Sequence, residues 1–174
     1  MVRMNLNTFE RHDVFKNPET VTKLAAKLAD ENNIRRAKVF PYQLFIAEKM
    51  AATAPQEIKD ALVTAMEVST RNIPTFDGKV YVAVDFSGSM RVPVTGANGK
   101  PTVVTCNQVA SLLASCVLRN SHNAEVYRFD TQSYRVDLDP NDSVFVNTNK
   151  IAANGGGTDC GATLHDLNAR KAIG

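Results

Sequence analysis

The chain has 174 residues, 44% of them hydrophobic, and a formal net charge of +2. That length suits one ordinary domain or two small joined pieces. It excludes a membrane span, since no stretch approaches the roughly 18 apolar residues required, and the opening MVRMNLNTFERHDVF lacks the apolar core of a signal peptide. Charges are evenly mixed, with eleven Lys/Arg against ten Asp/Glu up to Gly78 and nine against eight from Lys79 onward. Neither half carries the basic excess that would by itself mark a nucleic-acid binder. Three scattered cysteines, Cys106, Cys116 and Cys160, form no CxxC and no zinc spacing. They point to free thiols in a reducing, cytoplasmic compartment.

The first seventy-odd residues carry helical periodicity. In PETVTKLAAKLADEN, Val21, Leu24, Ala25 and Leu28 fall on one face of a 3.6-residue repeat, behind an Asn17 cap and Pro18 at the first helical position. A second helix is predicted around Tyr42–Met50, and a third follows Pro55 through Ile58, Leu62, Ala65 and Met66. Short helices on short turns need stacked neighbours to bury their faces, as in a helical array. The segment RNIPTFDG, from Arg71 to Gly78, ends this pattern with a proline and an Asp-Gly pair. Two regions are therefore expected, residues 1–74 and 75–174.

The second region opens on an apolar strand from Lys79 that stops at Asp85 in VYVAVDFSGSM. A Gly/Pro-rich loop, RVPVTGANGKPT, allows a hairpin or flap. The run from Val103 to Leu118 is predicted to be a nearly all-round apolar helix packed flat on a sheet. AEVYRFD and SYRVDLD are predicted to be strands joined through Thr131-Gln132. DSVFVNTNKIAANGGGTDCGATLHDLNARKAI offers a short helix or irregular stretch, a glycine-rich turn and an amphipathic helix. Strand, helix and strand in this order signal an α/β layer structure.

The strand end at Asp85 narrows by elimination. A haloacid-dehalogenase-type phosphatase needs a second aspartate where Ser87 stands. A nucleophile elbow needs Gly-x-Ser-x-Gly, and His12, His122 and His165 are scattered. GGGT lacks the Gly-Lys-Ser/Thr of a P-loop. The DLDPND stretch from Asp137 lacks the glycine and glutamate of a calcium loop and is assigned to a turn. No nucleophile–base pair is visible, so no enzyme is expected. What survives is a divalent-cation site at Asp85, Ser87 and Ser89, hard oxygen donors of the kind Mg²⁺ takes in octahedral geometry.

Asp85-x-Ser87-x-Ser89 resembles the metal-ion-dependent adhesion site of von Willebrand factor A domains. That resemblance implies a doubly wound sheet with ligands beyond its strand ends. It also implies direct binding by the two hydroxyls, an aspartate acting through water, and Thr158 of the GGGTD segment as a further ligand on a second loop. The ion would stay electrophilic towards a partner carboxylate.

NLNTFERH from Asn5, RAKVFPYQ from Arg36 and VDFSGSM from Val84 together resemble the Ro autoantigen, or TROVE-module, family. Its members join a ring of HEAT-like helical repeats to a von Willebrand A domain. The resemblance implies an α/β chain with an N-terminal HEAT-like helical segment, followed by a partial doubly wound A-type sheet. It also implies a scaffold in RNA quality control that binds noncoding RNA, either Y-like or misfolded small RNA. Arg35, Arg36 and Lys38 form the one compact basic cluster, either a phosphate contact or a solvated helix end. The family's third metal loop, an aspartate after a further strand, lies beyond the chain. Binding of Mg²⁺, or of Mn²⁺, is therefore expected to be weak or partner-dependent. An unpaired VYVAV edge is an aggregation hazard. The chain is accordingly expected to be one piece of a larger body, a split or cleaved protein or one that pairs the Lys79–Val84 strand with another copy or partner chain.

Overall fold

The structure is a computed structural model and describes residues 5–95, 99–121 and 123–173. It is a mixed α/β chain of two compact units, Met1–Asn72 and Ile73–Gly174. His122 and the tip of the Gly/Pro-rich loop, 96–98, lie outside the described residues. Among the described residues, no helix is long and apolar enough to cross a membrane.

The first unit is helical: α1 (Leu6–Arg11), α2 (Pro18–Ala29), α3 (Glu31–Arg36), α4 (Pro41–Met50) and α5 (Gln56–Ser69). Helix α2 starts where expected, with Pro18 at its first position and the Asn17 side chain accepting from Thr20 N at 3.1 Å. Its buried face is Val21, Ala25 and Leu28, with Leu24 at the margin. Helix α5 buries Ile58, Leu62, Ala65 and Met66, the four periodic positions, and packs against α2, α3 and α4. Two short helices, α1 and α3, carry too few turns for their periodicity to stand out. Helix α3 is set by a cap instead, because Asp30 Oδ1 accepts from Asn33 N at 2.6 Å.

The second unit contains a three-stranded sheet with order β1-β4-β5 and a separate hairpin, β2-β3. Strand β1 (Val80–Asp85) pairs in parallel with β4 (Ala124–Phe129), and β4 pairs antiparallel with β5 (Ser133–Val136) across the Thr131-Gln132 turn. The parallel pair requires a crossover, supplied by α6 (Cys106–Asn120). Val82, Val84, Ala124, Val126 and Val136 meet Ala110, Ala114 and Leu118 of α6 and Ile151 of α7 (Val144–Ile151) to form the core. The opposite face carries α8 (Ala162–Ala169) against β4 and β5.

The expected helix over 103–118 is displaced. Pro101–Thr105 is strand β3, antiparallel to β2 (Pro93–Thr95), and the helix begins at Cys106. The β-branched run Val103-Val104-Thr105 suits a strand, and a capping box at Thr105 starts the helix. Thr105 Oγ1 accepts from Gln108 N at 3.4 Å while Gln108 Oε1 accepts from Thr105 N at 3.0 Å. Helices α6 and α7 meet through small polar residues as well as apolar ones. Ser115 and Thr148 are buried with their hydroxyls 3.3 Å apart. Thr148 donates to Val144 O at 2.7 Å and Ser115 to Ser111 O at 2.9 Å, so both buried hydroxyls are hydrogen-bonded as burial demands.

Candidate functional site

Strand β1 carries Asp85 to its C-terminal end, where Phe86 N donates to Phe129 O at 3.1 Å and closes the ladder with β4. The chain then folds back on itself. Asp85 Oδ1 accepts from Ser87 N at 2.8 Å, and Gly88–Arg91 forms one 3-10 turn. Ser87 is fully buried and Ser89 exposed, with their hydroxyl oxygens 3.2 Å apart. Two ligands on adjacent vertices of an octahedron with arms of 2.0–2.1 Å would be about 2.9 Å apart. The two hydroxyls thus have close to the spacing that a small hard cation needs. Asp85 uses Oδ1 for the turn and keeps Oδ2 as a further acceptor.

The GGGT loop is tied to this turn through backbone. Gly155 N donates to Phe86 O at 3.0 Å, and Gly88 N donates to Gly156 O at 2.8 Å. The approach is so close that a Cβ on Gly155 would lie 2.7 Å from the Phe86 ring and 2.9 Å from its carbonyl oxygen. Thr158 is exposed on the same loop, but among the described residues no hydrogen bond links it to Asp85, Ser87 or Ser89. Three of the four expected ligands therefore share one turn, and the fourth sits on the loop fastened to it.

Asp130, which was not singled out in the sequence, organises the second loop. Its Oδ1 accepts from Gln132 N at 3.1 Å, its Oδ2 from Gly156 N at 3.3 Å, and its carbonyl from Asp159 N at 2.7 Å. These bonds, first of all that from Gln132, hold its carboxyl below the usual aspartate range. Asp130 directly follows Phe129, the last residue of β4, and only the parallel pairing of β4 with β1 brings it beside the Asp85 turn. Asp159 accepts from Gly161 N at 2.8 Å and Asp166 pairs with Arg170 at 3.1 Å, so both are engaged locally. Asp139 accepts from Asn141 N at 2.8 Å, a turn in the stretch that mimicked a calcium loop.

The donor set is one carboxylate and hydroxyls, all oxygen, which fits Mg²⁺ or Mn²⁺ in kind. Among the described residues no three His, Cys, Asp or Glu side chains are grouped, so the hydroxyls are indispensable to such a site. His12 and His165 are exposed. A cleft of about 340 Å³ opens next to the turn, between Arg91, Asn107, Gln108 and Asn154.

In the helical unit, Arg35 and Arg36 occupy the last turn of α3, and Lys38 follows in a left-handed conformation with φ of 46°. All three are exposed. Arg35 lies 4.0 Å from Glu31, which also pairs with Arg71, whereas Arg36 and Lys38 have no ionic partner among the described residues.

No protein-family model and no curated protein sequence matches the chain. A solved structure does: the Ro (RSR) protein of Deinococcus radiodurans superposes with a TM-score of 0.77 at 23% identity over 97% of this chain. The chain spans 36% of the length of that protein. The two share a fold over both units of the chain.

Proposed function

We propose that the chain is a Ro-like RNA-binding scaffold component, with an N-terminal HEAT-like segment and a partial von Willebrand A-type sheet bearing a divalent-cation site. The observation that carries this reading is the likeness to the Deinococcus Ro protein across 97% of the chain. The phrases at Asn5, Arg36 and Val84 that resemble the Ro family support it from the sequence side. The proposed RNA is a small noncoding one, Y-like or misfolded, with Arg35, Arg36 and Lys38 as phosphate contacts. The role is binding rather than catalysis. Three free thiols suit a cytoplasmic setting.

Ser87 and Ser89 would hold the ion directly, with Asp85 beside them and Thr158 from the second loop. A bound Mg²⁺ or Mn²⁺ would supply an open coordination position for a partner's carboxylate. Asp130 and Gly155 act on the site indirectly by fixing the loop that carries Thr158.

A second reading, a protein-assembly module with an A-type fold and no RNA binding, draws on one specific feature. Among the described residues β1 pairs with β4 alone, and Ala83 in its middle is exposed. Such an edge accepts another strand, from a second copy or a partner chain. Mobility shift of the intact chain with small structured noncoding RNA at low salt separates the two. A retarded complex supports the scaffold, and no complex leaves the assembly module.

A further inference from the structure

Phe40 and Tyr42 are large aromatic side chains left 42% and 40% exposed, although their neighbours Leu44 and Phe45 are buried. Residues two apart within a helix point to different faces, yet these two rings stack, 6.5 Å between centroids and 26° between planes. The local backbone explains how. Lys38 turns the chain at φ 46°, Phe40 occupies the extended cap position with φ −91° and ψ 147°, and Pro41 starts α4 behind it. Asn72 Nδ2 donates to Val39 O at 2.8 Å and pins the segment just before the rings. The rings thus lie beside each other at the start of α4, each partly exposed.

Their own stretch of chain carries charge of one sign. No Asp or Glu occurs from Asn32 to Ala47, a stretch that contains Arg35, Arg36 and Lys38. Glu31 is shared by Arg35 and Arg71, so that trio keeps a net positive charge, and Arg36 and Lys38 add two cations without ionic partners among the described residues. Stacked planar rings beside unneutralised cations match a ligand with planar faces on an anionic backbone.

We infer that Phe40 and Tyr42 form a stacking platform for unpaired bases of single-stranded RNA, with Arg36 and Lys38 on the adjoining phosphates, an assignment that rests on the RNA-binding reading above. Bases within a duplex are stacked on each other and present no free face, so the platform selects single strands. An acidic protein segment would satisfy the cations but not the rings.

The test uses the intact chain with a fluorescein-labelled twelve-nucleotide oligouridylate and a blunt RNA duplex of equal length, followed by anisotropy. Replacing the rings by aliphatic side chains in Phe40→Leu/Tyr42→Leu is expected to weaken the single strand about tenfold per ring and leave duplex binding unchanged. Arg36→Ala/Lys38→Ala should lower the slope of log affinity against log salt by about 1.4, the value for two phosphates on a single strand. The chain contains no tryptophan. Tyr42→Trp therefore introduces a single reporter whose emission should be quenched by the oligouridylate and not by polyglutamate. Undiminished single-strand binding by the leucine variant, or equal quenching by polyglutamate, overturns the platform while leaving RNA binding standing. Failure of the unaltered chain to bind either RNA overturns both.

Discussion

Gly155 and Asp85 show how closely the two site loops are fitted. A methyl group on Gly155 would come within 2.7 Å of the Phe86 ring and 2.9 Å of its carbonyl oxygen, and a carbonyl cannot rotate away as a flexible side chain can. Gly155→Ala is expected to destabilise the second unit by about 2 kcal/mol, the usual cost of forcing a methyl group into a filled space. Hydrogen exchange should show faster exchange at the Gly155 and Gly88 amides, and a variant with unchanged melting and protection would contradict the fit. Asp85 is the one carboxylate of the Asp-x-Ser-x-Ser turn and accepts from Ser87 N at 2.8 Å. Asp85→Ala is expected to weaken Mn²⁺ binding, read by the free-ion paramagnetic resonance signal, by tenfold or more. Tight binding that survives this change would place the ion elsewhere. Ser87, Ser89 and Asp85 were legible in the sequence because they lie within five consecutive residues. Asp130 was not, because its role depends on β4 ending beside β1, a juxtaposition that only the parallel pairing creates.

At the scale of elements, what the sequence revealed depended on length. Helices α2 and α5 were plain from periodicity because they run for 12 and 14 residues. Helices α1 and α3 have 6 each, too short for a period to register, and α3 is announced only by its Asp30 cap. The expected helix takes in strand β3 because apolar and small residues predominate from Val103 to Leu118, with no Gly or Pro to mark a boundary. The separating signals were the β-branched run and the Thr105-to-Gln108 capping box, which periodicity does not weigh. A second cluster fastens β1, β4 and β5 on the face opposite α6. Glu125 accepts from Lys79 and, at 2.7 Å, from the Tyr127 hydroxyl, and lies 3.5 Å from Arg135, while Arg170 donates to Tyr127 at 2.6 Å. The Lys79 hydrogen bond, followed by that from Tyr127, holds the Glu125 carboxyl below its ordinary value of 4.5. A depressed folded-state value means that the stabilisation is fully present above the unfolded value and is lost as pH falls through the folded one. Glu125→Gln is therefore expected to cost about 1 kcal/mol at neutral pH. That difference should vanish in urea melts at a pH below the folded-state value, and a pH-independent difference would contradict the account.

The whole molecule divides into a helical unit, Met1–Asn72, and a sheet unit, Ile73–Gly174. The sheet exposes one long edge. Strand β1 is six residues of VYVAVD with a partner on one side among the described residues, and its C-terminal end supports the Asp85 turn. Apolar edges of this kind recruit strands. Light scattering after size exclusion is expected to show concentration-dependent association of the isolated chain. Ala83→Lys, a charge on an exposed edge position, should suppress that association without lowering the melting temperature. A monomer at all concentrations would remove the case for a strand-adding partner.

The proposed RNA-binding role of this chain, which shares a fold with a Ro protein, is tested most directly by its affinity for a small structured noncoding RNA measured across salt. Phosphate contacts by Arg35, Arg36 and Lys38 would release counterions, so the account expects binding that falls steeply as salt rises, with a slope of at least about 2 in log affinity against log salt. No complex at low salt, or an affinity indifferent to salt, would contradict it.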